Sequence, residues 1–183
     1  MAAVRWIKFC YLAYVSKPQG ERQLYRLVKA RQVSRIVEVG VSNLTRTIRL
    51  IEVAQRYTPE QKVCYTGLDW FDARPSQLEP LTLKQTHCTL QTTGAQVRLV
   101  PGPPGHSLAA VANAHQNTDL IIISPPVSDA DLQRAWFYVP RMLRNQSIVL
   151  REHLGADGQA AFTKLSASEL AERAGQSAPR RAA

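Results

Sequence analysis

The chain has 183 residues, which suffices for one well-packed core and is too short for two ordinary domains. A hydrophobic fraction of 45% is typical of globular proteins and excludes the fibrous and intrinsically disordered classes. The net charge of +9 would attract acidic partners such as nucleic acid, although a solvated basic surface has the same composition. No apolar run approaches the roughly 18 residues that a membrane span needs, so we expect none.

Cysteine and histidine spacing indicates neither a disulfide framework nor a metal site. The three cysteines, Cys10, Cys64 and Cys88, are widely spaced, and an odd number cannot all pair within one chain. The four histidines show no metal-binding spacing. We therefore expect reduced thiols, a cytoplasmic location and no bound metal.

Two helices are predicted before the first strand. Residues 1–15 form the first, and residues 21–31, with Leu24, Leu27 and Val28 at helical spacing, form the second. Basic residues are concentrated here, with Glu21 as their only counter-charge: Arg5, Lys8, Lys17, Arg22, Arg26, Lys29 and Arg31. We interpret residues 1–32 as an N-terminal helical segment.

Five short apolar segments then alternate with helical patterns. The apolar segments, rich in Val and Ile, are residues 36–41, 63–68, 97–100, 120–123 and 147–150. The helical patterns cover residues 45–57, 81–92, 108–114 and 129–143. This alternation predicts an α/β fold, with a Rossmann-like parallel sheet of about five strands flanked by helices, over residues 33–154. Residues 155–183 would be a partly disordered C-terminal extension, weakly helical near residues 166–173.

The residues that close the strands are the candidate site, because ligands of open parallel sheets bind beyond the carboxyl ends of the strands. At the ends of the first four predicted strands stand Glu38, Gly40, Asp69, Trp70, Gly102 and Ser124. Glycine at such a turn lets the backbone approach a ligand closely. A carboxylate inside an apolar strand is costly unless it is paired, so Glu38 needs either a ligand or nearby donors.

The order of these strand ends resembles that of class I S-adenosylmethionine-dependent methyltransferases, in particular the small-molecule O-methyltransferases. Residues 37–47, Val-Glu-Val-Gly-Val-Ser-Asn-Leu-Thr-Arg-Thr, are similar to motif I of the family, in which an acid and a glycine precede the first helix. The family also closes its second strand with an acid that binds ribose, here Asp69. The resemblance covers about residues 33–152. It departs from the family at Leu44, which replaces a glycine, and at Pro103, which replaces an acid.

The resemblance implies S-adenosylmethionine as cofactor, bound by the six strand-end residues, and methyl transfer to a small-molecule acceptor. In-line methyl transfer needs positioning rather than a dedicated nucleophile, so the acceptor and the catalytic residues stay unassigned. Ser124-Pro125-Pro126 is similar to the motif of amino-methyltransferases, but Val127 replaces their aromatic residue.

Two alternatives remain open at the level of sequence. The first is a degenerate methyltransferase fold that serves as a non-catalytic binding or scaffold module. Leu44, Pro103 and the short region after the fifth strand favour it, because little length is left for the final hairpin of the family. The second, a nucleic-acid-binding module, rests on charge alone, and the oligomeric state is not encoded in any pattern.

Overall fold

The computed structural model describes residues 7–16, 19–155 and 158–177. The chain begins with α1 (residues 7–15, π-helical over Tyr11–Val15), and continues with α2 (Gln19–Arg31), β1 (Arg35–Val39), α3 (Leu44–Tyr57), β2 (Cys64–Asp69), α4 (Leu83–Gln91) and β3 (Gln96–Pro101). It then forms α5 (Pro104–Val111), β4 (Thr118–Ile123), α6 (Asp129–Leu132), α7 (Val139–Met142), β5 (Leu143–Leu154), β6 (Ala160–Lys164) and α8 (Ala167–Gln176). The predicted alternation of strands and helices is confirmed.

The six strands form one sheet in the order β3-β2-β1-β4-β5-β6. β1 to β5 are parallel, and β1 lies between β2 and β4, so that Val37 has Thr66 on one side and Ile121 on the other. The strand order reverses between β1 and β4, which makes the carboxyl ends of these two strands the topological switch point of the sheet. The predicted Rossmann-like parallel sheet, with its first strand at the centre, is confirmed.

Helices cover both faces of the sheet, and each face has its own apolar core. Side chains alternate across a strand, so Ile36 of β1 packs in one core and Val37 in the other. The first core includes residues of α1, α2 and α3, among them Phe9, Leu24 and Leu50. The N-terminal helices therefore belong to the same packed unit as the sheet.

Residues 129–143 differ from the prediction of one continuous helix. They form the two short helices α6 and α7, with turns between them. Pro140, in the first turn of α7, has no N–H to donate, and its ring would clash with the carbonyl of Trp136 if the helix continued. The amphipathic pattern of Ala135, Trp136, Val139 and Met142 still buries all four side chains, through turns instead of one helix.

The region after the fifth predicted strand also differs from the expected extension. β5 runs on to Leu154, and β6 pairs with it in antiparallel register from Leu150 opposite Lys164 to Leu154 opposite Ala160. The start of α2 lies directly against β6: a Cβ at Gly20 would be only 2.0 Å from the carbonyl oxygen of Ala160, so only glycine allows this approach. The last two elements therefore complete the sheet and its helical cover.

Some expectations concern residues outside the described ranges. Residues 1–6 of the first predicted helix are among these, as are residues 178–183 of the expected C-terminal extension. Within residues 7–16, 19–155 and 158–177, no helix combines the length and the apolar character needed to cross a membrane. The same residues contain no group of three or more His, Cys, Asp or Glu side chains suited to a metal ion.

Candidate functional site

The strand-end residues predicted from sequence lie next to one another at one edge of the sheet. The amide of Gly40 donates to the carbonyl of Leu68 at 2.7 Å, and that of Gly102 donates to the carbonyl of Asp69 at 2.9 Å. The amide of Ser124 donates to the carbonyl of Val39 at 2.9 Å. Gly40 and Gly102 have φ angles of +79° and +127°, which L side chains rarely adopt, so both turns favour glycine.

Asp69 is the last residue of β2, and donors within this chain occupy all the acceptor positions of its carboxylate. It is 1% exposed, and its Oδ1 accepts from the Phe71 amide at 2.9 Å while its Oδ2 accepts from the Val41 amide at 2.8 Å. Arg74 donates to both oxygens, from Nε to Oδ1 and from Nη2 to Oδ2, each at 2.7 Å. A carboxylate has about four acceptor positions, and here all four are occupied.

Arg74 also ties together the loops that follow β1 and β2. Its Nη2 donates to the Val41 carbonyl, and its Nη1 donates to the Glu79 carbonyl at 2.8 Å. The short 3₁₀ turn Phe71–Ala73 directs Arg74 back toward the sheet, with buried Phe71 as its anchor at φ +49°. The Arg74 side chain is only 9% exposed as a result.

Glu38 finds its partners inside the protein. Its Oε1 accepts from Arg46 Nη2 at 2.7 Å, and its Oε2 accepts from Thr47 Oγ1 and from the Tyr65 hydroxyl, each at 2.8 Å. Burial, reinforced by the Glu38 carboxylate, raises the pKa of Tyr65 well above its usual value, so the phenol stays protonated and donates. The predicted need of Glu38 for a partner is met without a ligand.

Arg46 is shared between two carboxylates. Asn43 caps α3 by accepting the Arg46 amide at 3.0 Å, which fixes the first turn so that the Arg46 side chain lies between β1 and β5. There it pairs with Glu38 and Glu152, and Glu152 also accepts from the Ser42 hydroxyl at 3.1 Å. Burial alone would lower the pKa of Arg46, but the charges of Glu38 and Glu152 outweigh burial and raise it.

The loop after β4 covers the Gly40 backbone. A Cβ at Gly40 would lie 2.6 Å from Cγ2 of Val127, which is completely buried, and 3.4 Å from Cβ of Ser124. The Ser124 hydroxyl is buried and has no hydrogen-bond partner among the described residues. A Cβ at Gly102 would meet only the Ser107 hydroxyl, at 3.3 Å, so this glycine keeps open space beside it.

Sequence reasoning placed the strand ends correctly but missed the two arginines that neutralise their acids. Arg46 had a signal, since buried Glu38 required a partner and Arg46 stands in the first turn of the next helix. Arg74 had none, because its approach to Asp69 depends on the unusual backbone of Phe71. Trp70, the sixth predicted residue, is half-buried and packs against the second core.

Comparison with solved structures identifies the fold. No protein-family model matches the sequence, and no curated protein matches it. The O-methyltransferase TomG from Streptomyces achromogenes, in complex with SAM, is 16% identical with a TM-score of 0.52, over 82% of this chain and 65% of TomG. The O-methyltransferase from Bacillus cereus, in complex with SAH, is 18% identical with a TM-score of 0.51, over 86% of this chain and 66% of that one.

The match to a third solved structure covers a larger share of this chain and of the matched protein. It is cofactor-bound Rv0187 from MTB, which is 20% identical with a TM-score of 0.53, over 96% of this chain and 74% of its own. At these identities the likeness concerns the fold. The described residues thus have the fold of class I S-adenosylmethionine-dependent methyltransferases, and the chain spans about two thirds of the length of the first of these enzymes.

The residue types at this edge of the sheet fit S-adenosylmethionine, but the position of Arg74 closes the edge. Asp69, Gly40 and Gly102 stand at the strand ends, and the Ser124 hydroxyl has an unused hydrogen-bonding capacity. Arg74, however, occupies the two acceptor positions of Asp69 that the backbone leaves free. The residues present would fit the cofactor only after Arg74 has moved away from Asp69.

Proposed function

We propose that this chain binds S-adenosylmethionine at the carboxyl edge of its sheet and transfers the methyl group to a small-molecule acceptor. The observation that carries the proposal is the pairing of Asp69 with the turn at Gly40, through the Val41 amide at 2.8 Å. It places an acid and a left-handed glycine together at the topological switch point, where ligands bind in sheets of this kind.

Five of the six strand-end residues have a separate part in this proposal. Asp69 would accept hydrogen bonds from both ribose hydroxyls once Arg74 has turned away, and Gly102 leaves room for the ligand beside the backbone. Gly40 permits the left-handed turn that brings the Val41 amide to Asp69. The Ser124 hydroxyl would gain the partner that it lacks inside the protein. Glu38 would act indirectly, because its ion pair with Arg46 holds the start of α3 in place.

When bound, the cofactor supplies an activated methyl group, and the chain supplies position. Methyl transfer requires that the acceptor atom is held in line with the methyl group and shielded from water. The loops after β1, β2 and β4 would do both. The three cysteines are free, which supports a reducing compartment such as the cytoplasm as the place of this activity.

Titration calorimetry of the wild-type chain with S-adenosylmethionine and with S-adenosylhomocysteine tests the proposal. We expect saturable binding of both. A second candidate, a non-catalytic module of the same fold, is favoured by the contact of Val127 with Gly40 and by the closure of Asp69. Absence of binding heat for both ligands at millimolar concentration would select that candidate.

Ser124→Ala separates a ligand-binding role from a structural one. Because the Ser124 hydroxyl has no partner among the described residues, its removal should leave the free energy of unfolding unchanged or slightly higher. Loss of a hydrogen bond to the ligand should weaken S-adenosylhomocysteine binding about three- to tenfold.

Ser34→Ala is the matched control for Ser124→Ala. Ser34 is also buried, but its hydroxyl donates to Asp119 at 3.0 Å, at the opposite end of the strands. This variant should lose about 1.5–3 kcal/mol of stability, because the lost bond is to a charged group, and should keep its affinity for the ligand. A Ser124→Ala variant that loses stability and retains full affinity would contradict the assigned role.

A further inference from the structure

Arg74 is held at the candidate site by groups from three parts of the chain. These are both carboxylate oxygens of Asp69, the Val41 carbonyl in the loop after β1, and the Glu79 carbonyl further along its own loop. Only the contact with Asp69 is an ion pair, and the other two partners are main-chain oxygens. The guanidinium therefore closes the edge of the sheet by bridging two loops across the end of β2.

A guanidinium and a ribose diol would both bind the same two acceptor positions of Asp69. The Val41 and Phe71 amides already donate one hydrogen bond to each carboxylate oxygen, which leaves one acceptor position on each. Arg74 fills both positions with two parallel N–H donors. A vicinal diol would present two O–H donors to the same two positions, so the two ligands of Asp69 exclude each other.

The segment that carries Arg74 is a loop that lies outside the sheet. Residues 74–82 contain no helix or strand, and most of their side chains are exposed. Displacement of Arg74 would cost its bonds to Asp69 and to two carbonyls, while the Val41 and Phe71 amides would still hold the carboxylate in place. Loops are the parts of a fold that change conformation most readily, so the cost of opening is set by the bonds of Arg74 and not by the loop itself.

We propose that Arg74 is a built-in latch: a diol-bearing nucleoside ligand reaches Asp69 only after Arg74 has left it, so the chain rests in a closed state with weakened cofactor affinity. The inference rests on the proposed function and adds its regulation. The observed dissociation constant equals the intrinsic one divided by the fraction of open molecules. Removal of the latch should therefore tighten binding by about tenfold or more.

Calorimetric titration with S-adenosylhomocysteine tests the latch in four proteins: wild type, Arg74→Ala, Arg74→Lys and Arg74→Ala/Asp69→Ala. Arg74→Ala should bind about tenfold more tightly than wild type. Arg74→Lys should fall between them, because an ammonium cannot make two parallel bonds to Asp69. The double variant should bind about ten- to hundredfold more weakly than Arg74→Ala, since Asp69 then no longer accepts the diol.

Arg144→Ala provides the matched control. Arg144 also pairs with a buried aspartate, Asp119, but at the opposite end of the strands, and its loss should leave the affinity unchanged. Thermal melts of every variant establish that each is folded before titration.

The possible results separate the latch from the proposed function. If wild type binds and Arg74→Ala binds equally well or more weakly, the latch is wrong, and Arg74 is either neutral or a ligand contact. In that case the proposed function stands. If neither wild type nor any Arg74 variant binds, both ideas fail together, and the non-catalytic module remains.

Discussion

Replacement of Arg46 by methionine is expected to lower the free energy of unfolding by about 3–5 kcal/mol. The guanidinium is 1% exposed and is the charge partner of both Glu38 and Glu152, so its loss leaves two buried carboxylates without a counter-charge. Methionine keeps much of the aliphatic length, which limits the contribution of a cavity. Urea denaturation at pH 7 measures the loss.

Arg49→Met, one turn further along α3, is the control for Arg46→Met. Arg49 is 35% exposed and lies 3.9 Å from the buried Glu21, which is beyond hydrogen-bond distance, so this longer contact should contribute less than about 1 kcal/mol. The triple variant Glu38→Gln/Arg46→Met/Glu152→Gln should regain part of the stability, because no uncompensated charge remains. A loss below about 1 kcal/mol for Arg46→Met would show that water or a rearranged side chain replaces the guanidinium.

The free energy of unfolding of Arg46→Met should depend on pH in the way expected of a protein with unpaired buried acids. Without Arg46, the Glu38 and Glu152 side chains are buried with no counter-charge, and burial favours the neutral, protonated form of an acid over its charged form. The folded state then binds more protons, so the variant should become more stable as the pH falls from 8 toward 5. If its stability deficit relative to wild type is the same at pH 5 and pH 8, the carboxylates are not the cause.

Gly105→Ala is expected to lower the free energy of unfolding by about 3 kcal/mol, through overpacking of two backbones. A Cβ at Gly105 would lie 1.8 Å from the carbonyl oxygen of Asp131 and 2.8 Å from its carbonyl carbon, so α5 and α6 would have to separate. Gly175→Ala makes the same chemical change inside α8, where the added Cβ would have no atom within 4 Å apart from its chain neighbours and the backbone of its own helix.

The Gly175→Ala variant should instead gain about 0.5–1 kcal/mol, because alanine has the higher helix propensity. Changes of opposite sign in the free energy of unfolding for the two variants would separate the effect of the backbone contact from that of helix propensity. Equal effects, measured by urea denaturation of both variants, would mean that α5 and α6 adjust without cost.

The parts of the fold that could be predicted from sequence are those with strong local patterns. The run Leu120-Ile121-Ile122-Ile123 is the most apolar of the predicted strands, and it lies in β4, every residue of which is buried. β6 escaped prediction because residues 160–164 contain a single large apolar side chain, Phe162, and pairing with β5 defines the strand. The helix predicted over residues 129–143 failed because the apolar period was given more weight than Pro140.

The candidate site divides in the same way. Its strand ends followed from periodicity, and the need of Glu38 for a partner followed from the cost of a buried charge. The identity of that partner depends on the cap at Asn43, and the closure of Asp69 by Arg74 depends on a left-handed residue at Phe71. Such loop geometries are set by tertiary packing, and a sequence pattern does not report them.

The contact between Gly20 and Ala160 has a consequence for synthesis of the chain. α2 leaves the ribosome before every strand, yet the strand on which its first turn rests is the last of the six to be made. Phe162 of β6, whose ring also lies 5.6 Å from the Arg46 guanidinium, joins the core that α1 and α2 line. The contact between α2 and β6 can therefore form only after all six strands have been made, so that cotranslational folding cannot complete this core in simple order from the first element to the last.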